Sequence, residues 1–221
     1  MLRGVFVTGT DTNVGKTVVS AAILSRFRSR AAIRYWKPIQ TGIEQDDDTA
    51  EVGRLSGCDA SCFRREGIRL EHPVSPHLAA KRAGVNIDLT ELTAWTTSPD
   101  PKERWVVEGA GGVLVPINET ETMLDLMRLL ALPVVIVARS SLGTINHTLL
   151  TLEALRARAL CLAGVILVGP KDSENREAIR SYGQTEVLGE MPRFDALSPE
   201  QIARWACAEL DPRGDLAEHL A

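Results

Sequence analysis

Residues 9–17 read Gly9-Thr10-Asp11-Thr12-Asn13-Val14-Gly15-Lys16-Thr17, between a short apolar run, Gly4–Thr8, and a segment of helical spacing, Lys16–Arg28. A turn of backbone N–H groups feeding a helix N-terminus offers donors and partial positive charge to phosphate oxygens. Lys16 adds a full charge, and Thr17 places a hydroxyl where Mg²⁺ is ligated in such loops. The strict pattern has a glycine five residues before Gly15; Thr10 stands there and Gly9 lies one residue further back. The loop is therefore a variant of the phosphate-binding type. Asp11 beside such a cradle either caps the turn or faces a cationic group of a substrate.

Further groups suit the same chemistry. Lys37-Pro38-Ile39-Gln40-Thr41-Gly42 closes a second apolar run, Ile33–Lys37. Pro38 removes a sheet donor there, so Lys37 projects from a strand end. It would be a second cation for developing phosphoryl or carbamate charge. Asp46-Asp47-Asp48 is either a solvated helix cap or a carboxylate source. Glu108 ends the apolar run Trp105-Val106-Val107 and is followed by Gly109-Ala110-Gly111-Gly112, as expected of a metal-ligating carboxylate beside a loop that approaches phosphate closely. Thr17, Asp48 and Glu108 together supply oxygen ligands for Mg²⁺, with phosphate oxygens and water completing an octahedron. Gly143-Thr144-Ile145-Asn146-His147 opens a helix suited to receive a carboxylate; Asn146 either takes part in that or serves only as the helix N-cap. His77 and His147 are either catalytic or structural histidines, and the structural reading is preferred.

The elements that position these groups alternate. Apolar runs at Gly4–Thr8, Ile33–Lys37, Trp105–Glu108, Val134–Ala138, Gly164–Val168 and Glu186–Glu190 read as buried strands. Helical signals lie between them: Lys16–Arg28, a start at Asp88 with capping-box spacing to Glu91, Thr122–Leu130, Asn146–Ala159, and a start at Ser198-Pro199. Residues 64–84 show no clear period and read as loops and short helices. The pattern predicts an α/β fold, a mostly parallel central sheet with helices on both faces, as one domain over residues 1–221. Ligands bind such sheets beyond the C-terminal strand ends, here residues 8–17, 37–42, 108–112, 138–147 and 168–172.

Composition narrows the partners. With 25 Lys+Arg against 29 Asp+Glu the net charge is −4, and no basic run suggests a nucleic-acid partner. The longest apolar stretch, residues 129–138, is interrupted by Pro133 and too short to span a bilayer. Arg3 is followed by too few apolar residues for a secretory leader. Cys58 and Cys62 are spaced like half a metal site, but Cys161 and Cys207 are single, so free thiols in a reducing cytoplasm are expected. A partitioning-type ATPase of the same loop class would carry a lysine within residues 10–13, which this chain lacks.

Five motifs in order resemble those of the dethiobiotin synthetase family, whose fold is a P-loop NTPase-like three-layer sandwich. They are the loop at 9–17, Lys37-Pro38, Ser75-Pro76-His77, Glu108–Gly112 and Gly143-Thr144-Ile145-Asn146-His147. The resemblance implies a cytoplasmic, homodimeric, Mg²⁺-dependent ligase that uses ATP, or another nucleoside triphosphate, to close a cyclic urea on 7,8-diaminononanoate. The diamine takes up CO₂ as a carbamate, which becomes a carbamic–phosphoric anhydride before ring closure releases ADP and phosphate. Lys16 and Lys37 would stabilise the transferring group, and Thr12, Thr41, Gly143 and Asn146 would bind the substrate, the last two near a partner subunit's site. Nucleotide contacts are implied for Asn13, Val14, Gly15, Lys16, Thr17, Val18, Asp48, Glu108, Gly109, Ala110 and Gly111, and near the base for Val168, Gly169, Pro192, Arg193 and Phe194. One position departs: the family usually carries Asn where Val168 stands. A valine side chain makes no polar base contact, so backbone groups of Val168, Gly169 and residues 192–194 are expected to meet the base, with triphosphate preference relaxed or altered and phosphate contacts dominating.

Overall fold

The computed structural model describes residues 2–96 and 100–220. Its centre is a seven-stranded sheet of β1 (Gly4–Gly9), β2 (Ala32–Trp36), β4 (Phe63–Arg64), β6 (Glu103–Gly112), β7 (Val134–Arg139), β8 (Leu162–Val168) and β9 (Val187–Met191). Their order is β4-β2-β6-β1-β7-β8-β9, and each recorded pairing is parallel. Two short strands, β3 (Ile39–Thr41) and β5 (Ile68–Leu70), pair parallel as a separate sheet.

Strand side chains alternate between faces, and each face has its own core. Val5, Val7, Tyr35, Val106, Val135 and Val137 pack beneath α1 (Lys16–Phe27), α2 (Asp48–Ser56), α8 (Pro199–Glu209) and α9 (Ala217–Leu220). Phe6, Trp36, Trp105, Val107, Val134 and Ile136 pack on the other side. That side is covered by α3 (Pro76–Ala83), α4 (Leu89–Ala94), α5 (Met123–Leu130), α6 (Thr144–Arg156) and α7 (Ser173–Gly183). The three-layer parallel architecture expected from the alternating runs is therefore present.

The six apolar runs all became strands of the main sheet, with bounds shifted by at most two residues except in β6, which runs four residues past Glu108 to Gly112. Asp88 caps α4 through Oδ1, accepting from the Thr90 N–H at 2.7 Å, but the full reciprocal capping box belongs to Thr122 and Asp125. Ser198 Oγ accepts from the Gln201 N–H at 3.3 Å, the start signal read at Ser198-Pro199. The helix expected from Asn146 begins at Thr144, with Gly143 as its N-cap at φ 92°. Asn146 is thus not the cap; it lies in the first turn. Residues 64–84 hold β5 and α3. The pattern reading missed α7, whose cap Asp172 accepts from the N–H groups of Glu174 and Asn175. Among the described residues no helix is long and apolar enough to cross a membrane.

Candidate active site

The loop that joins β1 to α1 is built by close approach. A side chain at Gly9 would put its Cβ 2.7 Å from the Asp11 carbonyl oxygen and from a Val14 methyl, so residues 11–14 curl back over the strand end. This is why the glycine sits at 9 and Thr10 is tolerated. Gly15 then adopts φ 103°, a left-handed conformation that favours glycine, and Lys16 begins the helix. Val14 is buried beneath the loop, whereas Thr12 and Asn13 are exposed. Lys16 is 7% exposed, and its Nζ donates to the Asp11 carbonyl at 2.9 Å. Burial, and then the neighbouring Lys37 charge, lower its pKa to about 8.

Strand parity decides the rest. Tyr35 faces α1 and α2, so Lys37, two residues on and just past the end of β2, points the same way. Glu108 shares a face with Val106 for the same reason. Lys37, 3% exposed, donates to Asp48 Oδ2 at 2.6 Å, Glu108 Oε1 at 2.9 Å and the Gly109 carbonyl at 3.0 Å. Thr17 Oγ1, with a single O–H to donate, lies 2.8 Å from Asp48 Oδ1 and 3.2 Å from Glu108 Oε1. Two carboxylates, one ammonium and one hydroxyl thus converge from α1, α2, β6 and the end of β2.

Burial by itself would lower the Lys37 pKa; Glu108 and Asp48 more than reverse this and raise it. Burial would likewise raise Asp48, but the Lys37 ammonium and the Thr17 hydroxyl hold it below the usual carboxylate range. The acidic triplet divides its labour: Asp47 caps α2, accepting from the Ala50 N–H at 3.0 Å, and Asp48 enters the cluster.

A cavity of about 1010 Å³ opens on this cluster, lined by Thr12, Asn13, Gly15, Lys16, Thr17 and Val18 on one side and Lys37, Thr41, Asp48, Glu108, Ala110 and Gly111 on others. Gly109 lends its carbonyl to Lys37. The oxygen set of Thr17, Asp48 and Glu108, at hydrogen-bond distance around one point, suits a hard cation that keeps waters and phosphate oxygens. No cluster of three or more His, Cys, Asp or Glu with metal-binding arrangement occurs among the described residues, so a full protein cage is not on offer.

Other expected groups lie elsewhere. Gly143 and Asn146 are exposed at the start of α6 and do not line the cavity. Val168 is half-buried and packs against the loop: a Cβ at Gly15 would lie 3.3 Å from its methyls. The backbone contacts expected near the base are partly spent. The Val168 carbonyl accepts from Ser140 N–H and the Gly169 N–H donates to the Met191 carbonyl, each at 2.8 Å. Pro192 and Phe194 are half-buried, and Arg193 is exposed. His77 is exposed and its Nδ1 lies 3.0 Å from Ser75 Oγ; His147 is exposed on α6. All four cysteines are free, and burial pushes the Cys58 thiol up to about 11.

Four contributors escaped the sequence reading. Arg139, at the end of β7, pairs with Asp11, so the cation opposite that carboxylate comes from the same chain; Asp11 also accepts from the Thr12 N–H at 2.7 Å. Arg69 Nη1 donates to the Lys37 carbonyl at 2.9 Å. Tyr35 donates to Glu108 Oε2 at 2.9 Å. Gln40, buried beside the cavity, fixes its amide on the carbonyls of Thr41 and Asp46 at 3.0 Å. Arg139 followed an apolar run within the expected 138–147 zone and could have been flagged; the others depend on pairings that sequence does not display.

A parallel sheet whose first strand feeds a phosphate-cradling loop, with lysine, threonine and carboxylates gathered at its mouth, defines a P-loop nucleotide-binding protein. A family model described as an AAA domain matches residues 3–201. An ATP-dependent dethiobiotin synthetase of Paramagnetospirillum magneticum is 48% identical over 202 residues, covering 91% of this chain and 94% of that protein. Another, from Rhodopseudomonas palustris, is 42% identical over 218 residues, 99% of each. The chain belongs to the dethiobiotin synthetase family. Its fold is also similar to that of a ParA family ATPase from Chlorobium tepidum, with TM-score 0.58 at 11% identity, over 93% of this chain and 98% of that one.

Proposed function

We propose that this protein makes dethiobiotin in biotin biosynthesis, using ATP to carboxylate 7,8-diaminononanoate and close the cyclic urea. The observation that carries the reading is the convergence of Lys16, Lys37, Thr17, Asp48 and Glu108 on one cavity at the phosphate loop.

In this reading the loop backbone from Asn13 to Val18 and the Lys16 ammonium hold the triphosphate. Thr12 and Thr41 orient the diamine and its carbamate. The carbamate oxygen attacks the γ-phosphorus, and ADP leaves. The second amine then attacks the carbamate carbon of the mixed anhydride, closing the ring and expelling phosphate. Lys37 has a raised pKa and stays an ammonium throughout, so it neutralises charge on the transferring group rather than taking a proton. Asp48, with its lowered pKa, is likewise a poor base at neutral pH. These groups act by positioning and charge, which is what phosphoryl transfer demands. Mg²⁺, held by Thr17, Asp48 and Glu108, supplies further neutralisation of phosphate charge when bound.

A homodimer in the cytoplasm completes the reading, with Gly143 and Asn146 receiving the substrate's tail carboxylate in the partner's site. Their exposed position outside their own cavity, beside the wholly exposed Leu142 and the 60% exposed Leu150, supports it. The base lies near Val168, Gly169 and residues 192–194, held without an amide side chain. Incubating the protein with diaminononanoate, bicarbonate, Mg²⁺ and ATP is expected to give the cyclic urea and ADP in equal amounts. Absence of the urea overturns the reading.

A further inference from the structure

Glu108 is fully buried, and its two oxygens have different neighbours. Oε1 accepts from Lys37 at 2.9 Å and lies 3.2 Å from the Thr17 hydroxyl; Oε2 accepts from the Tyr35 hydroxyl at 2.9 Å. Tyr35 is itself fully buried on β2, facing the same helices as Glu108. It reaches across because Tyr35 pairs in register with Val106, two residues before Glu108 on the neighbouring strand. Nothing in the phosphate loop motif or the Glu108–Gly112 motif requires a tyrosine here. A phenol placed in an otherwise apolar patch, with its O–H aimed at a carboxylate oxygen, costs burial of a polar group unless that bond is made.

We propose that Tyr35 is a positioning residue that engages Oε2 of Glu108, so the carboxylate presents Oε1 alone to Lys37, Thr17 and the divalent cation. Without the phenol O–H, Oε2 is a buried acceptor with no donor. The carboxylate then turns about its last bond to share both oxygens with Lys37 and Thr17. That geometry ties Glu108 more tightly to the ammonium and withdraws it from the metal. Partners that orient a ligand from behind typically affect metal affinity by about 10–100-fold.

The inference rests on the reading of Glu108 as a Mg²⁺ ligand, and the test separates the two. ADP binding is measured by calorimetry with and without Mg²⁺ on the parent and on Tyr35→Phe, which keeps the ring. In Tyr35→Phe, metal-free ADP affinity is expected to stay within about twofold, because the phosphate loop is untouched, while the enhancement by Mg²⁺ falls about tenfold. Phe63→Leu changes the ring packed 5.9 Å from Tyr35 without touching the hydroxyl, and is expected to keep the full enhancement. An unchanged enhancement in Tyr35→Phe, or an equal loss in Phe63→Leu, overturns the role of Tyr35 and leaves the metal assignment standing. A parent protein whose ADP affinity ignores Mg²⁺ overturns the metal assignment first.

A second measurement covers failure of Tyr35→Phe to fold. The chain has two tyrosines, and the other, Tyr182, is exposed. Fluorotyrosine labelling of the parent therefore gives two ¹⁹F signals. Adding Mg²⁺ to the ADP complex is expected to move the buried one and leave the exposed one in place. A buried signal indifferent to Mg²⁺ overturns the proposal.

Discussion

Replacing Lys37 by Met tests the electrostatic core of the site. The ammonium is 3% exposed and bridges Asp48 and Glu108 at 2.6 and 2.9 Å. Without it, two carboxylates roughly 5 Å apart repel by on the order of 3 kcal/mol at an effective dielectric near 20. Removing one partner of a buried ion pair costs a similar amount, about 3–5 kcal/mol. For a chain of this length that corresponds to a fall in melting temperature of roughly 6–20 °C. The sign of the pH dependence also changes. In the parent, Asp48 has a lowered pKa, so its contribution to stability is fully present above its ordinary value of 3.8 and is lost as pH falls through the folded value. In Lys37→Met, Asp48 keeps the burial that raises its pKa and loses the ammonium that lowers it, so the variant's deficit shrinks as pH falls from 7 toward 5. Turnover should drop by at least about 10²–10³-fold, the loss typical of one missing group at a developing charge. Thermal unfolding between pH 5 and 8, and ADP release coupled to a spectrophotometric assay, read both effects. Turnover within tenfold of the parent, or a deficit that grows at low pH, refutes the reasoning.

Burial and the neighbouring Lys37 charge lower the Lys16 pKa in the folded chain from its ordinary 10.5 to about 8. Between those values the unfolded chain keeps a proton that the folded one has released, so this group raises stability with pH there. Nucleotide phosphates require the charged form, so ADP binding at pH 8.5–9 is expected to weaken and take up protons; calorimetry in buffers of different ionisation enthalpy checks this, and no uptake contradicts it. Turnover with ATP, CTP and GTP at matched concentrations is expected to differ by less than a hundredfold, because Val168 offers the base no polar side chain; Val168→Asn should sharpen the preference. Mixing subunits carrying Lys37→Ala with subunits carrying Asn146→Ala is expected to restore up to roughly a quarter of parental activity, since a symmetric dimer leaves one site of each mixed pair intact. No recovery on verified exchange would place Asn146 in its own subunit's site.

The strands and the phosphate loop were legible because both are local. Val-rich runs such as Val134–Ala138 are too apolar to be anything but interior, and the turn at Gly15 needs a glycine at φ 103° whatever surrounds it. The short pair β3 and β5 was not legible. Three residues each, hemmed by Pro38 and Pro73, carry no period, and they pair only because the chain between them returns. Candidate site residues were readable where a motif held them together, as at 9–17 and 108–112.

Sequence by itself determined which groups would carry charge and which strand ends would bear them, since residue type and alternation are properties of the chain alone. Tertiary structure decided the neighbours. The order β2-β6-β1 sets Tyr35 against Glu108, α2 returns Asp48 to Lys37, and β7 brings Arg139 to Asp11. Those contacts span 11 to 128 positions along the chain, and only the packing of the folded sheet brings residues so separated within reach of a hydrogen bond.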